Sequence, residues 1–375
     1  MKMKSRKWLK RKLEEIQSLE GYNIDRTVES VAKQFGIPAS EIVKLNYNEN
    51  FFIPQEEFKE IMKEVAEECD PRVYAQEEEI MLKEKLGNYL NVPKDFIVVG
   101  NGSDELIDRI ARLFLDKKDH VLSIKPTFPI YKYCASHLRA KYEEVPLKRD
   151  FGLNTKEILA MTTPKTRVLF LCSPNNPTAN QFGITEIQTL VNEFPGIVIV
   201  DEAYVEYGEY SVAPLLKKCE NLIILRTFSK AFGLAGIRLG YATAYPNLAK
   251  VLSEKAPQPY PVSSITLRIG LKLLEKVDMI KEAVEQMKVV RERLIEELNE
   301  TKGVKAFNSK TNFVLFQTEK NSESVYQDLL RRGIIIKNLG KILHLDNCLR
   351  TTVGLAHMNA KLLRALEGIL GGRSD

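Results

Sequence analysis

Between about residues 95 and 245 the chain alternates short, continuous apolar runs with stretches of helical periodicity. Nothing else in it limits the fold as much. The runs are FIVVG (96–100), HVLSI (120–124), RVLFLC (167–172), GIVIVD (196–201) and NLIILRT (221–227), all rich in Val, Ile and Leu. Such runs suit strands buried on both faces, as in a mostly parallel sheet. Between them lie segments such as DELIDRIARLFLD (104–116), whose leucines and isoleucines fall on one helical face. Strands and helices alternating in this way predict an open, doubly wound α/β domain.

After about residue 246 the texture changes. A long charged amphipathic stretch (274–300) leads into TNFVLFQ (311–317), RRGIIIKN (331–338), CLRTTVG (348–354) and a last helix ending near Gly371. Strands and helices without regular alternation predict a smaller α+β lobe. The proline-rich PQPYPV (257–262) is the expected hinge. The expected division is residues 1–46 as an N-terminal arm and part of the small domain, 47–256 as the large domain, and 257–375 as the small domain. In the basic N-terminus, Trp8, Leu9, Leu13 and Ile16 recur at helical spacing, which predicts an amphipathic helical arm.

At 375 residues, 44% hydrophobic and 28% charged, the chain has the composition of a globular protein. A net charge of +5 is too small for a nucleic-acid signature, and no apolar run approaches the roughly 20 residues of a membrane span. Cys69, Cys134, Cys172, Cys219 and Cys348 form no C-x-x-C pair, and the four histidines are scattered. These features predict a cytoplasmic protein with reduced thiols and no metal.

Ligands of parallel α/β sheets bind beyond the carboxyl ends of the strands, and four features fall at such ends. VVGNGSDEL (98–106) runs from a strand through glycines into a helix, whose free N–H groups suit a phosphate. LFLCSPNNPTAN (169–180) places asparagines at the sheet edge, and GIVIVDEAYVEY (196–207) places Asp201 at the mouth of a buried strand. RTFSKAFGLAGIRLG (226–240) holds Lys230 among small residues. Singly, each has an ordinary explanation: a capped turn, a Pro-Asn turn, an N-cap aspartate, a surface lysine. Together they describe one cofactor. An amine nucleophile, an acid for a pyridinium nitrogen, donors for a phenolate oxygen and a phosphate pocket are what pyridoxal 5′-phosphate requires.

In order and spacing, S-P-N-N-P-T, D-E-A-Y and S-K-A-F-G-L-A-G-x-R resemble the fold-type I, class I/II aminotransferases. KLNYNENF (44–51) and CLRTTVG (348–354) extend the likeness, which is greatest to the histidinol-phosphate aminotransferases. The resemblance implies that Lys230 is the catalytic lysine that binds the cofactor covalently and moves the substrate proton. It implies that Asp201 pairs with the ring nitrogen, Asn176 and Tyr204 bond the ring oxygen, and Phe128 stacks on the ring. Thr227, Ser229, Arg238 and the amides of Ser103 and Asp104 would hold the phosphate. Tyr74 would reach the cofactor of a partner subunit, making a homodimer the working unit. Arg350 would clamp the substrate carboxylate, with Tyr22, Lys337 and Asn50 as further substrate-binding residues.

Three departures are visible. Ala179 stands where the family often has glycine, Phe51 where it has proline, and Lys337 where it commonly has arginine. The implied activity is transamination of histidinol phosphate with 2-oxoglutarate in histidine biosynthesis. Competing readings are an aromatic or broad-range aminotransferase, a threonine-phosphate decarboxylase and a non-catalytic cofactor-binding regulator. A nicotinamide dehydrogenase is disfavoured because GNGSDE lacks the third glycine of the dinucleotide fingerprint.

Overall fold

The computed structural model describes residues 2–19, 21, 25–75, 77–255 and 258–371. In chain order the strands are β1 (Val43–Lys44), β2 (Ile97–Gly100), β3 (His120–Lys125), β4 (Lys141–Pro146), β5 (Thr166–Cys172), β6 (Ile197–Asp201) and β7 (Leu222–Thr227). They continue with β8 (Gly240–Ala244), β9 (Val304–Ala306), β10 (Phe313–Thr318), β11 (Ile334–Ile335), β12 (Lys337–Ile342) and β13 (Leu345–Thr352). Seven of them make one sheet in the order β2-β8-β7-β6-β5-β3-β4. Neighbours in it are parallel except at β8, which runs antiparallel to both β2 and β7.

The apolar runs explain why this sheet is covered on both faces. Phe170, Ile199 and Leu225 point to one side, where they pack with Ile107 and Ile110 of the helix Ser103–Phe114. Leu169, Leu171, Val198, Val200 and Ile224 point to the other, against Ile187, Leu190 and Val191 of the helix Ile184–Glu193. The period-2 alternation of a strand thus feeds two separate cores, as the doubly wound expectation requires. The helix expected over 104–116 spans Ser103–Phe114.

β12-β13-β10-β9 form a second, antiparallel sheet, and β1 pairs in parallel with β11. The helix Val277–Glu300 buries Ile280, Val284 and Met287 in a cluster that includes Phe313 and Phe316 of β10. Part of the expected hinge, residue 257, lies outside the described residues. The N-terminal arm is helical over Lys2–Gln17, and Trp8, Leu9, Leu13 and Ile16 are about half exposed on it. No described helix is long and apolar enough to cross a membrane.

Strand register sets the stage for the site. Cys172 lies beside Asp201, Asp201 beside Leu225, and Gly240 is the partner of both Thr227 and Gly100. The carboxyl ends of β5, β6, β7 and β2 therefore share one edge.

Candidate active site

A cavity of about 460 Å³ opens at that edge. Its wall contains Ser103, Asp104, Phe128, Asn176, Asp201, Tyr204, Thr227, Ser229, Lys230, Arg238, Lys337 and Arg350, residues drawn from segments up to 247 positions apart in the chain. Among the described residues, no group of three or more His, Cys, Asp or Glu side chains could hold a metal ion.

Lys230 sits in the turn after β7. The Ser229 amide donates to Thr227 Oγ1 at 3.1 Å, and the Gly233 amide closes the turn onto the Lys230 carbonyl at 3.0 Å. Gly233 is needed there: it adopts φ 68°, and an added Cβ would lie 2.9 Å from the Phe58 ring. The Lys230 ammonium donates to the Tyr47 carbonyl at 2.8 Å and lies 5.7 Å from the centre of the Tyr204 ring. Burial, reinforced by the nearby Arg350, pushes its pKa down to about 8. An amine so placed holds a substantial neutral fraction near physiological pH, as a proton-accepting lysine must.

Asp201, the last residue of β6, is only 2% exposed. Its carboxylate accepts from Tyr131 Oη at 2.7 Å and from the Ala203 amide at 3.0 Å. Burial pushes its pKa up to about 6 against the pull of those two bonds. A buried acid of this kind is stabilised as its anion by a cationic ligand. Tyr131, which the sequence did not single out, is Asp201's side-chain partner. Its ring stacks on Phe170 at 4.6 Å and meets Phe128 edge-on at 5.7 Å, so it fixes both the acid and the aromatic wall. The only signal was its place three residues after Phe128. The adjacent Glu202 faces away, accepting from the buried Arg226 at 2.8 and 3.0 Å and bracing β6 against β7.

A cradle that could hold an anion forms where β2 meets the helix Ser103–Phe114. Gly102 adopts φ 85° at the helix start, and a Cβ there would come within 2.7 Å of the Arg238 guanidinium. The first amides of a helix have no partner within it and point outward. Arg238 donates to Ser229 Oγ at 3.3 Å and to Asp104 Oδ2 at 3.2 Å, joining the two halves of the cradle.

On the opposite wall, Arg350 of β13 donates to Asn176 Oδ1 and, at 2.8 Å, to the Asn46 carbonyl. With its oxygen engaged, the Asn176 amide has its nitrogen left to donate. Tyr204 accepts from Asn48 Nδ2 at 2.9 Å, and burial holds its phenol pKa well above the usual range. Its O–H is therefore retained as a donor. Lys337 starts β12 directly across from Arg350 and forms a salt bridge with Asp25.

Asn50 is not part of the cavity wall. Its amide donates to the Ala231 carbonyl at 2.8 Å and accepts from the Phe52 amide at 2.9 Å, so it ties its segment to the Lys230 turn. The cavity asparagines of KLNYNENF are Asn46 and Asn48, four and two positions earlier. Tyr74 lies away from the cavity, 72% exposed and stacked on Tyr260 at 4.7 Å. Tyr22 lies outside the described residues. Ala179 adopts φ 63°, a left-handed conformation costing a non-glycine residue roughly 1–2 kcal/mol. Its turn is held by backbone bonds from Ala179 N to Asn175 O and from Lys310 N to Ala179 O, at 2.8 and 2.7 Å.

A family model described as aminotransferase class I and II matches residues 40–369. The chain belongs to that family. It is 36% identical over 358 residues to the histidinol-phosphate aminotransferase of Thermoanaerobacter sp. (strain X514), covering 95% of this chain and 98% of that protein. It is 33% identical over 356 residues to the enzyme of the same name from Methanosarcina mazei, covering 94% and 95%. The structure of a histidinol-phosphate aminotransferase from Sinorhizobium meliloti in complex with pyridoxal-5′-phosphate superposes with a TM-score of 0.85 at 24% identity, over 95% of this chain and 96% of that one. An aspartate aminotransferase from Thermotoga maritima gives 0.79 at 19% identity. The fold is thus that of the fold-type I aminotransferases, and the chain is an enzyme of that family, whose substrates are amino and keto acids.

The residues present fit pyridoxal phosphate. Asp201 is buried with no cation among its described hydrogen-bond partners, which is costly unless a cationic ring nitrogen pairs with it. Lys230 offers an amine of lowered pKa for the carbonyl carbon, and Arg238 with the helix start at Gly102 suits an anionic tail.

Proposed function

We propose that this aminotransferase moves the amino group of histidinol phosphate to 2-oxoglutarate, with pyridoxal phosphate as cofactor, as a step in histidine biosynthesis. The observation that carries the substrate assignment is the pairing of two cations across β12 and β13. Arg350 suits the carboxylate of an amino or keto acid, and Lys337 beside it suits a second anionic group.

In this reading Thr227, Ser229, Arg238 and the amides of Ser103 and Asp104 bind the cofactor phosphate. Asp201 pairs with the ring nitrogen, while Asn176 and Tyr204 donate to the ring oxygen. When bound, the cofactor supplies a carbon that carries the amino group and an electron sink that acidifies the substrate Cα–H bond. Lys230 Nζ holds and moves the proton from Cα, and its lowered pKa matches that duty. Phe128 gives the ring an apolar wall, with Tyr131 packed behind it. Arg350 orients the carboxylate of glutamate or 2-oxoglutarate. Lys337 and Tyr22 serve the substrate phosphate.

The working unit in this reading is a homodimer in the cytoplasm, with Tyr74 reaching the partner's cofactor. Support comes from the exposure of Met62, Val73, Tyr74, Ile80, Met81, Tyr260 and Ile265 on and beside the helices Gln55–Glu68, Glu78–Leu90 and Ser264–Leu274. So many large exposed apolar groups mark a surface that another protein surface covers. The division at residues 46 and 256 is part of the same proposal.

The test compares kcat/KM for histidinol phosphate and for phenylalanine, with 2-oxoglutarate as acceptor. Histidinol phosphate is expected to be preferred by at least about tenfold, the worth of one charge-assisted bond. Faster turnover of phenylalanine would refute the substrate assignment.

A further inference from the structure

Lys337 does not wait for a substrate uncompensated. Its ammonium is bonded to Asp25 Oδ1, in a pair whose side chains are 34% and 21% exposed. Both residues belong to the cavity wall. Asp25 is itself held from two other directions: its amide donates to Tyr47 Oη at 3.2 Å, and its Oδ2 accepts from Asn46 Nδ2 at 3.4 Å. Asn46 and Tyr47 also line the cavity. A carboxylate bonded by Asn46 and Lys337, on a backbone tied to Tyr47, occupies the place an anionic substrate group would take.

The neighbouring Arg350, directly across the strand pair, donates to the oxygens of Asn176 and Asn46. A phosphate arriving at Lys337 must displace the Asp25 carboxylate or share the lysine with it.

We infer that Asp25 is an internal competitor for Lys337, occupying the lysine until the substrate phosphate takes it over. The inference rests on the proposed phosphate role of Lys337. A phosphate monoester carries about −1.5 to −2 charge and three strong acceptor oxygens, against a single charge on Asp25. The exchange therefore favours phosphate, but less than an unoccupied lysine would. Binding is weakened by the fraction of time the lysine is engaged elsewhere, and the nearby carboxylate repels the incoming dianion. The same pair eases departure of the phosphorylated product, since Asp25 recaptures the lysine as the phosphate leaves. Asp25 thus sets how strongly this enzyme distinguishes phosphorylated from unphosphorylated amines.

The experiment measures KM for histidinol phosphate and for histidinol in the holoenzyme and in Asp25→Asn, Asp25→Glu and Lys337→Ala. Asn keeps an oxygen for Asn46 but removes the charge. The ratio of KM for histidinol phosphate to KM for histidinol is expected to fall about two- to fivefold in Asp25→Asn, the range of a partly exposed ion pair. It should return toward the wild-type value in Asp25→Glu. Inorganic phosphate should inhibit Asp25→Asn at correspondingly lower concentration. A merely structural Asp25 would not improve binding of one substrate class when removed. If Lys337→Ala raises the ratio while Asp25→Asn leaves it unchanged or raises it, the competitor role is overturned and the phosphate role of the lysine stands. If Lys337→Ala leaves the ratio unchanged, the phosphate role falls and this inference with it.

Discussion

Asp201 shows how much of this site is arranged at the expense of the cofactor-free protein. Burial raises its pKa to about 6. A raised acid pKa in the folded state means that the stability held below pH 4 is lost as pH rises through 6, and the loss persists above that. The shift corresponds to something on the order of 3 kcal/mol. Asn at this position keeps the shape and the Tyr131 contact without the charge. Urea unfolding of the cofactor-free proteins should therefore find Asp201→Asn more stable than wild type at pH 7, by up to about 3 kcal/mol, with the difference vanishing below pH 4. Equal stabilities at both pH values would show that the ionised carboxylate carries no burial cost. The same variant should bind the cofactor less tightly, since it cannot pair with a charged ring nitrogen.

At the scale of elements, the site depends on how closely β8 approaches the helix Ser103–Phe114. A Cβ on Gly240 would lie 2.5 Å from the Ser103 amide nitrogen and 2.6 Å from the Gly102 carbonyl carbon. Neither is a flexible side chain, so the helix start would have to move. Gly240→Ala is expected to cost about 1–3 kcal/mol of stability and to weaken cofactor binding, read by equilibrium dialysis and by thermal unfolding. Retained cofactor affinity would mean that the cradle tolerates a displaced helix start. The sequence made this junction legible in part: VVGNGSDEL announced a strand, glycines and a helix. It did not reveal that Gly240 caps the junction from a strand running the opposite way, because antiparallel insertion of β8 is a matter of sheet order. Asn50 teaches the same lesson. Three asparagines recur at intervals of two in KLNYNENF, and only the fold decides that Asn46 and Asn48 face the cavity while Asn50 bonds the Lys230 turn.

At the scale of the whole molecule, the exposed Tyr74–Tyr260 stack and its apolar surroundings bear on the assembly. If Tyr74 serves the partner's site, Lys230→Ala and Tyr74→Ala subunits should complement one another. Each hybrid dimer would then hold one site with a wild-type lysine and a wild-type tyrosine from opposite chains. Random mixing should give about one quarter of wild-type activity, since half the dimers are hybrid and one site in each is intact. Activity no greater than the sum of the separate variants would place Tyr74 in its own subunit's site or in none.

What the sequence determined by itself was the class of fold and the chemical set. Continuous β-branched runs suit burial on both faces. Asp201 ends one such run while Asn176 and Lys230 fall just beyond two others, where the chain must turn, with Arg238 in the segment that follows Lys230. Those properties are local and survive in one dimension. What only the tertiary structure decided were the contacts made across the chain: Tyr131 holding Asp201 from 70 residues away, Arg350 reaching Asn176 across 174, and Asp25 engaging Lys337 across 312. Such pairings depend on strand order, register and the docking of one sheet beside another. No spacing along the chain encodes them, because they become favourable only when the core has brought their backbones together.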